Sequence, residues 1–253
     1  MGRWWKITPV TEPTAPHAVE TTMGQIAGAA ERLAATAIVL TDDQVREPSL
    51  LPGWSRGHVL THIARNADGL RNLLIWAETG EETPQYASQE DRDGQIEAGA
   101  GRSASELAAD VSDSADAFLA KASELTDEAW KAEVQGFRGP AHPAWFTLQR
   151  RLSEVEIHHV DLAAGYGPAD WPDWFVTDML YRVTGQLCGN ADAPKAMVTD
   201  ADTGRQFFLR QDATADVEVT GSGALLLAWL LGRDDGTSLT SDPDGPLPSI
   251  PPY

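Results

Sequence analysis

Two stretches of the chain carry metal-capable side chains four residues apart within helical hydrophobic periodicity. They are His58 and His62 in "LPGWSRGHVLTHIARNADGLRNLLIWAETG", and Glu154 and His158 in "RLSEVEIHHVDLAAG". On an α-helix such residues are separated by about 40° around the axis, so each pair shares a face. Burying any of these groups without a partner costs roughly 2–7 kcal/mol. A fold that turns both faces inward must therefore bring the two helices together around something that compensates them. A metal ion would do so, and helical bundles build metal sites from inward-facing His and carboxylate groups on different helices. Two histidines and a glutamate would leave the fourth tetrahedral position of Zn²⁺ open, as catalytic zinc sites do. The plainer alternative is that each pair is a solvated or capping interaction. Spacing does not choose between His58 and His62, and neither a C-x₂-C nor an H-E-x-x-H signature is present. Asn66 lies one step further along the His62 stripe, and Asp161 falls near the His158 face. Glu156 is expected on the opposite side and His159 about 100° away.

The periodicity predicts four helices, over about 18–40, 56–78, 103–125 and 144–164. Ser55 is a candidate N-cap for the second, and Ser103 with Glu106 a capping box for the third. The polar, glycine-bearing stretch "EETPQYASQEDRDGQIEAGAGRS" reads as a long connection that carries Arg92. Beyond the linker "GYGPADWP" the pattern changes. A further helix, "WPDWFVTDMLYRVTGQL", precedes short β-type runs at "KAMVTD", "RQFFLR" and "DVEVTG", then the apolar helix "SGALLLAWLLGR" and a proline-rich tail. The expectation is an α+β protein: an N-terminal extension over 1–17, a metal-binding four-helix bundle over 18–167, and a small α/β C-terminal domain over 168–253.

A formal net charge of −19 opposes binding to nucleic acid, whose phosphates need compensating cations. No apolar run is long enough to span a bilayer, so no membrane partner is expected. The N-terminus lacks the apolar core of a secretory signal, and Cys188 alone cannot form an internal disulfide. Both fit a reducing cytoplasm. A small anionic ligand would need local arginines to overcome the global field. Arg92 and Arg233, the latter directly after "ALLLAWLLG", are the candidates, with surface pairing to neighbouring aspartates as the alternative. No Ser-His-Asp order, phosphate-cradling loop or dinucleotide fingerprint is present, and the nine tryptophans read as core anchors.

The stretches "GWSRGHVLTHIARN", "TGEETPQY" and "RLSEVEIHHVDLAAG" resemble the mycothiol-dependent maleylpyruvate isomerases, over nearly the whole chain. The resemblance implies a DinB-like four-helix bundle whose zinc is held by His62, Glu154 and His158, which selects His62 over His58. It implies a catalytic role for Arg233 in the C-terminal domain, with Arg92 beside it, and assigns Asn66 and Arg92 to contact with the thiol cofactor. The implied reaction is isomerisation of maleylpyruvate to fumarylpyruvate by conjugate addition of a zinc-held mycothiol thiolate, bond rotation and thiol elimination. The partners are then Zn²⁺, mycothiol and a small anionic unsaturated acid, with no protein partner inferred. Related zinc bundles transfer low-molecular-weight thiols, so an S-transferase is the alternative, and a non-catalytic metal-binding module a further one.

Overall fold

The structure, a computed structural model, describes residues 16–211 and 214–252. The N-terminal extension expected over 1–17 lies, except for its last two residues, outside the described residues. The chain forms two compact units, one reaching Leu162 and the other starting at Ala163.

The first unit runs through α1 (Pro16–Ala37), α2 (Asp42–Arg46), α3 (Arg56–Thr79), α4 (Gln89–Ala100), α5 (Ala104–Glu124), α6 (Asp127–Lys131), β1 (Glu133–Gln135), β2 (Ala141–Pro143) and α7 (Phe146–Asp161). The long helices α1, α3, α5 and α7 close a four-helix bundle in which α1 and α3 each pack on α5 and α7. Its core is built from Ile26 and Leu33 on α1, Leu60, Ile63, Leu70 and Leu74 on α3, Leu107 and Phe118 on α5, and Leu148 and Val155 on α7. Within each helix they lie three, four, seven or eleven residues apart, the spacings that give a helix one apolar face. Ser55 caps α3, and Ser103 and Glu106 form a reciprocal box at the start of α5.

The stretch expected as a connection contains α4, a 12-residue helix capped by Ser88. Its apolar stripe is too thin to read, since only Ile96 and Ala100 are buried. What holds it is close backbone approach to α3: a Cβ on Gly57 would meet the Ala100 carbonyl oxygen at 2.2 Å, and one on Gly99 would meet the Thr61 methyl at 2.4 Å. Arg92 is therefore on a helix and not in a loop. The residues "TDDQ" after α1 open the short α2, with Thr41 and Gln44 as a capping box.

The second unit contains a 3₁₀ turn (Pro168–Asp170), α8 (Asp173–Cys188), β3 (Ala196–Asp200), β4 (Gln206–Phe208), β5 (Val217–Gly221), α9 (Gly223–Leu230) and β6 (Thr240–Asp242). The sheet order is β4-β3-β5-β6, with β3 and β5 parallel in the register Val198↔Val219 and both outer pairs antiparallel. The three expected β-runs are β4, β3 and β5. The edge strand β6 was not legible, because three polar residues carry no alternation. The whole is α+β, as expected.

Candidate metal centre

The first turn of α3 separates its two histidines. His58 occupies the N3 position of the capping box: its Nδ1 accepts from the Ser55 backbone N–H at 3.2 Å, and its Nε2 lies 3.2 Å from Glu97. Its ring also stacks on Trp54, with centroids 6.2 Å apart. His58 is thus committed to its own helix end and to α4. One turn on, His62 is buried and turned toward α7, with the Trp54 indole meeting its ring edge-on at 5.5 Å.

On α7, Glu154 and His158 share the face opposite His62. The His62 Nε2 lies 3.1 Å from Glu154 Oε2 and 3.1 Å from His158 Nε2, and the third side of the triangle, His158 Nε2 to Glu154 Oε2, is 3.3 Å. Ligands about 2.0–2.1 Å from a tetrahedral Zn²⁺ lie about 3.3–3.4 Å from one another, so the triangle fits one ion and leaves a fourth position. Among the described residues this is the one His/Cys/Asp/Glu trio whose ligand atoms all lie within 4.8 Å of each other. The donor set, two imidazoles and a carboxylate, also suits several other divalent ions.

Two of the three groups are already in the protonation state that a metal ligand needs, and the third must lose a proton to reach it. Burial pushes the His62 pKa below its ordinary value, so this ring is neutral at neutral pH. Burial pushes Glu154 up, but hydrogen bonds with His158 and His62 outweigh it and hold the carboxylate well below its usual range. Burial also pulls His158 down, and is outweighed by the bonds to Asp161 and Glu154, which lift the imidazole to about 9. The His158 Nδ1–H donates to Asp161 Oδ2 at 2.8 Å, and Asp161 is fully buried. This is the carboxylate–histidine arrangement that orients metal-ligating imidazoles and leaves Nε2 aimed at the ion. Without metal, His158 carries protons on both nitrogens below about pH 9. Metal uptake at pH 7.5 should therefore release about one proton per ion. A pH-indicator titration in weak buffer checks this, and uptake without proton release would contradict the assignment of His158.

Arg92 and Tyr86 stand at the edge of the trio. Arg92 NH2 approaches His62 Nδ1 at 3.3 Å, and its guanidinium carbon lies 5.8 Å from the centroid of the Tyr86 ring. Tyr86, half-buried, meets Phe137 edge-on, and burial raises its phenol pKa. The segment before it is held where Gln85 Oε1 accepts from the Phe137 backbone N–H at 2.9 Å. Gly69 permits this approach, since a Cβ there would meet the Gln85 carbonyl oxygen at 2.7 Å. The contact with Arg92 has a tautomeric consequence. A guanidinium only donates, so it requires a lone pair on Nδ1, whereas a neutral His62 ligating through Nε2 carries its proton on Nδ1. The two states exclude each other.

The other expected site residues lie as follows. Asn66 is buried, and its Oδ1 accepts from Arg151 NH1 at 3.1 Å. Arg233 belongs to the second unit, just beyond α9, where its NH1 donates to the Leu231 carbonyl at 2.7 Å. Glu156, expected to point to the far side of the helix, is buried and paired with Arg32 of α1 at 2.5 Å, and the adjacent His159 shares a hydrogen bond of 2.7 Å with Thr36. Sequence reasoning did not single out Tyr86 or Arg151 and took Trp54 only as a core anchor. Tyr86 ends the stretch "TGEETPQY", but Arg151 carries no local signal that distinguishes it from a surface arginine.

Residues 26–163 match the family model described as the mycothiol maleylpyruvate isomerase N-terminal domain. No curated protein matches the chain. Two solved structures do: a crystal structure of the mycothiol-dependent maleylpyruvate isomerase, with a TM-score of 0.87, and that of a histidine-to-alanine mutant of it, at 0.86. Each is 28% identical to this chain and covers 93% of it and 97% of its own length.

Proposed function

Because the chain belongs to the family that carries the mycothiol maleylpyruvate isomerase N-terminal domain, we propose that it is a zinc- and mycothiol-dependent isomerase that converts maleylpyruvate to fumarylpyruvate. The observation that carries this reading is the triangle of His62, Glu154 and His158, with sides of 3.1–3.3 Å, His62 buried and the other two part-exposed. A Zn²⁺ held there would supply acidification of a coordinating thiol, which otherwise titrates near 8.5. Mycothiol would supply reversible addition to the carbon–carbon double bond, which leaves that bond single and free to turn.

The protein's own groups have separate tasks. His62 and His158 hold their ligating nitrogens inward, and Asp161 keeps the His158 proton on Nδ1. Trp54 covers the edge of the His62 ring and limits access of water to it. Once His62 carries its proton on Nδ1, Arg92 loses that acceptor, and its guanidinium donors turn to a carboxylate of the substrate or to the thiol cofactor. Arg233 is the second proposed group for the substrate's negative charge, since arginine remains protonated and offers a planar fork. Asn66 serves from within the bundle, through Arg151. A cytoplasmic setting follows from the need to keep the thiol reduced.

The decisive measurement is turnover of maleylpyruvate with mycothiol well below the substrate concentration. Many turnovers per thiol, lost on chelation and restored by Zn²⁺, are expected. Product limited to one equivalent of thiol would identify an S-transferase. Absence of turnover with any thiol would leave a metal-binding module.

A further inference from the structure

Arg151 is among the most deeply buried side chains of the bundle, with 1% of its surface exposed, and no carboxylate among the described residues lies within ion-pair distance of it. Its NH1 makes two bonds to α3: to the Ile63 carbonyl oxygen at 2.8 Å and to Asn66 Oδ1 at 3.1 Å. Its Nε and NH2 are buried with no hydrogen-bond partner among the described residues. A side chain that served only to fill the core would not be a guanidinium, since aliphatic groups of similar volume pack there without orphaned donors.

The placement of those two bonds is informative. Ile63 follows His62 directly in α3, and Arg151 precedes Glu154 by three residues in α7, on the same side of that helix. One nitrogen therefore ties the helix that carries the first ligand to the helix that carries the other two, beside His62 on α3 and within a turn of Glu154 on α7. We propose that Arg151 is a positioning residue of the metal centre: through Ile63 and Asn66 it fixes the spacing of α3 and α7 so that His62 meets Glu154 and His158 at ion-binding separation. This rests on the reading of the trio as a metal site. It also gives Asn66 a defined part, as the acceptor that orients the guanidinium.

A brace and a bare charge predict opposite results. A buried cation close to the trio repels a metal ion, so removing the charge alone would strengthen metal binding. Removing the brace loosens the ligand triangle and weakens it, by the ten- to hundred-fold typical of groups that support metal ligands from behind. The test is Co²⁺ binding to the full-length metal-free protein, followed by its visible absorption, with melting of each metal-free variant recorded alongside. Arg151→Met should bind Co²⁺ ten- to hundred-fold more weakly, with a weaker absorption band as the geometry relaxes, and Arg151→Lys should recover part of the affinity. Unchanged or tighter binding by folded Arg151→Met would overturn the proposal, even if melting fell, because a purely structural role moves only the melting. Should Arg151→Met fail to fold, Asn66→Leu removes one acceptor and leaves the arginine in place. Several-fold weaker Co²⁺ binding is then expected, and unchanged affinity would overturn the role. Failure of the unaltered protein to bind Co²⁺ would instead remove the metal centre itself, and with it anything Arg151 could position.

Discussion

Replacing His62 with alanine should abolish metal retention and reduce turnover of maleylpyruvate by roughly a thousand-fold or more, while the bundle still folds. A metal that acidifies a bound nucleophile lowers the barrier by several kcal/mol, and each 1.36 kcal/mol is about tenfold in rate. With His62 gone, Glu154 and His158 remain 3.3 Å apart on one helix, a two-ligand remnant that cannot enclose an ion from both sides. The paired control is His58→Ala. That ring is occupied by Ser55, Glu97 and Trp54, so its loss should cost no more than about 1 kcal/mol of stability and leave metal binding intact. Metal content after loading and desalting, measured with melting temperature for both variants, decides between them. Full occupancy in His62→Ala, or loss in His58→Ala alone, would reverse the assignment. Glu156 and His159 make poor controls despite lying beside the ligands, because both are buried and bonded to Arg32 and Thr36 of α1, contacts that their removal breaks.

Those two residues show where sequence reasoning stops. Helical spacing correctly separates Glu156 from the face of Glu154 and His158, but it says nothing about what covers the opposite face. Here α7 packs on both α1 and α3, so a residue turned away from the trio enters a second buried contact and not solvent. The long helices were readable because their apolar residues recur along one face and their caps are explicit at Ser55 and Ser103. Helix α4 was not, because glycine–backbone approach at Gly57 and Gly99 leaves no trace in hydrophobic periodicity. The choice of His62 over His58 came from resemblance. What three dimensions add is placement: the first-turn histidine is engaged by the helix cap, and His62 lies against Glu154 and His158. Arg151 is the extreme case: nothing in "FTLQRRLSEVE" distinguishes the arginine in the core from its neighbour Arg150, whose NH2 donates to Gln85 Oε1.

Asp161→Ala should weaken metal binding by about ten- to hundred-fold, the range typical for loss of a carboxylate behind a ligating histidine, and should lower stability as well. Asp161 is fully buried and accepts the His158 Nδ1–H at 2.8 Å. Without it the imidazole can rotate, and its proton can move to Nε2, the atom that must face the ion. Its backbone carbonyl also receives the Leu50 N–H at 2.9 Å, a bond that any side-chain replacement keeps. Asp161→Asn separates charge from geometry. The amide can accept from Nδ1–H through its oxygen, which preserves the tautomer, or present its NH₂, which forces the proton onto Nε2 and blocks ligation. If orientation is what Asp161 provides, the Asn variant should fall between wild type and Ala in metal affinity. If its negative charge provides most of the effect, Asn and Ala should be equally weak, and proton release on metal uptake at pH 7.5 should decline in both, because His158 no longer has the partner that lifts it to about 9. Wild-type metal affinity in Asp161→Ala would show that the ligand triangle holds His158 without support from behind, and would remove Asp161 from the account of the centre.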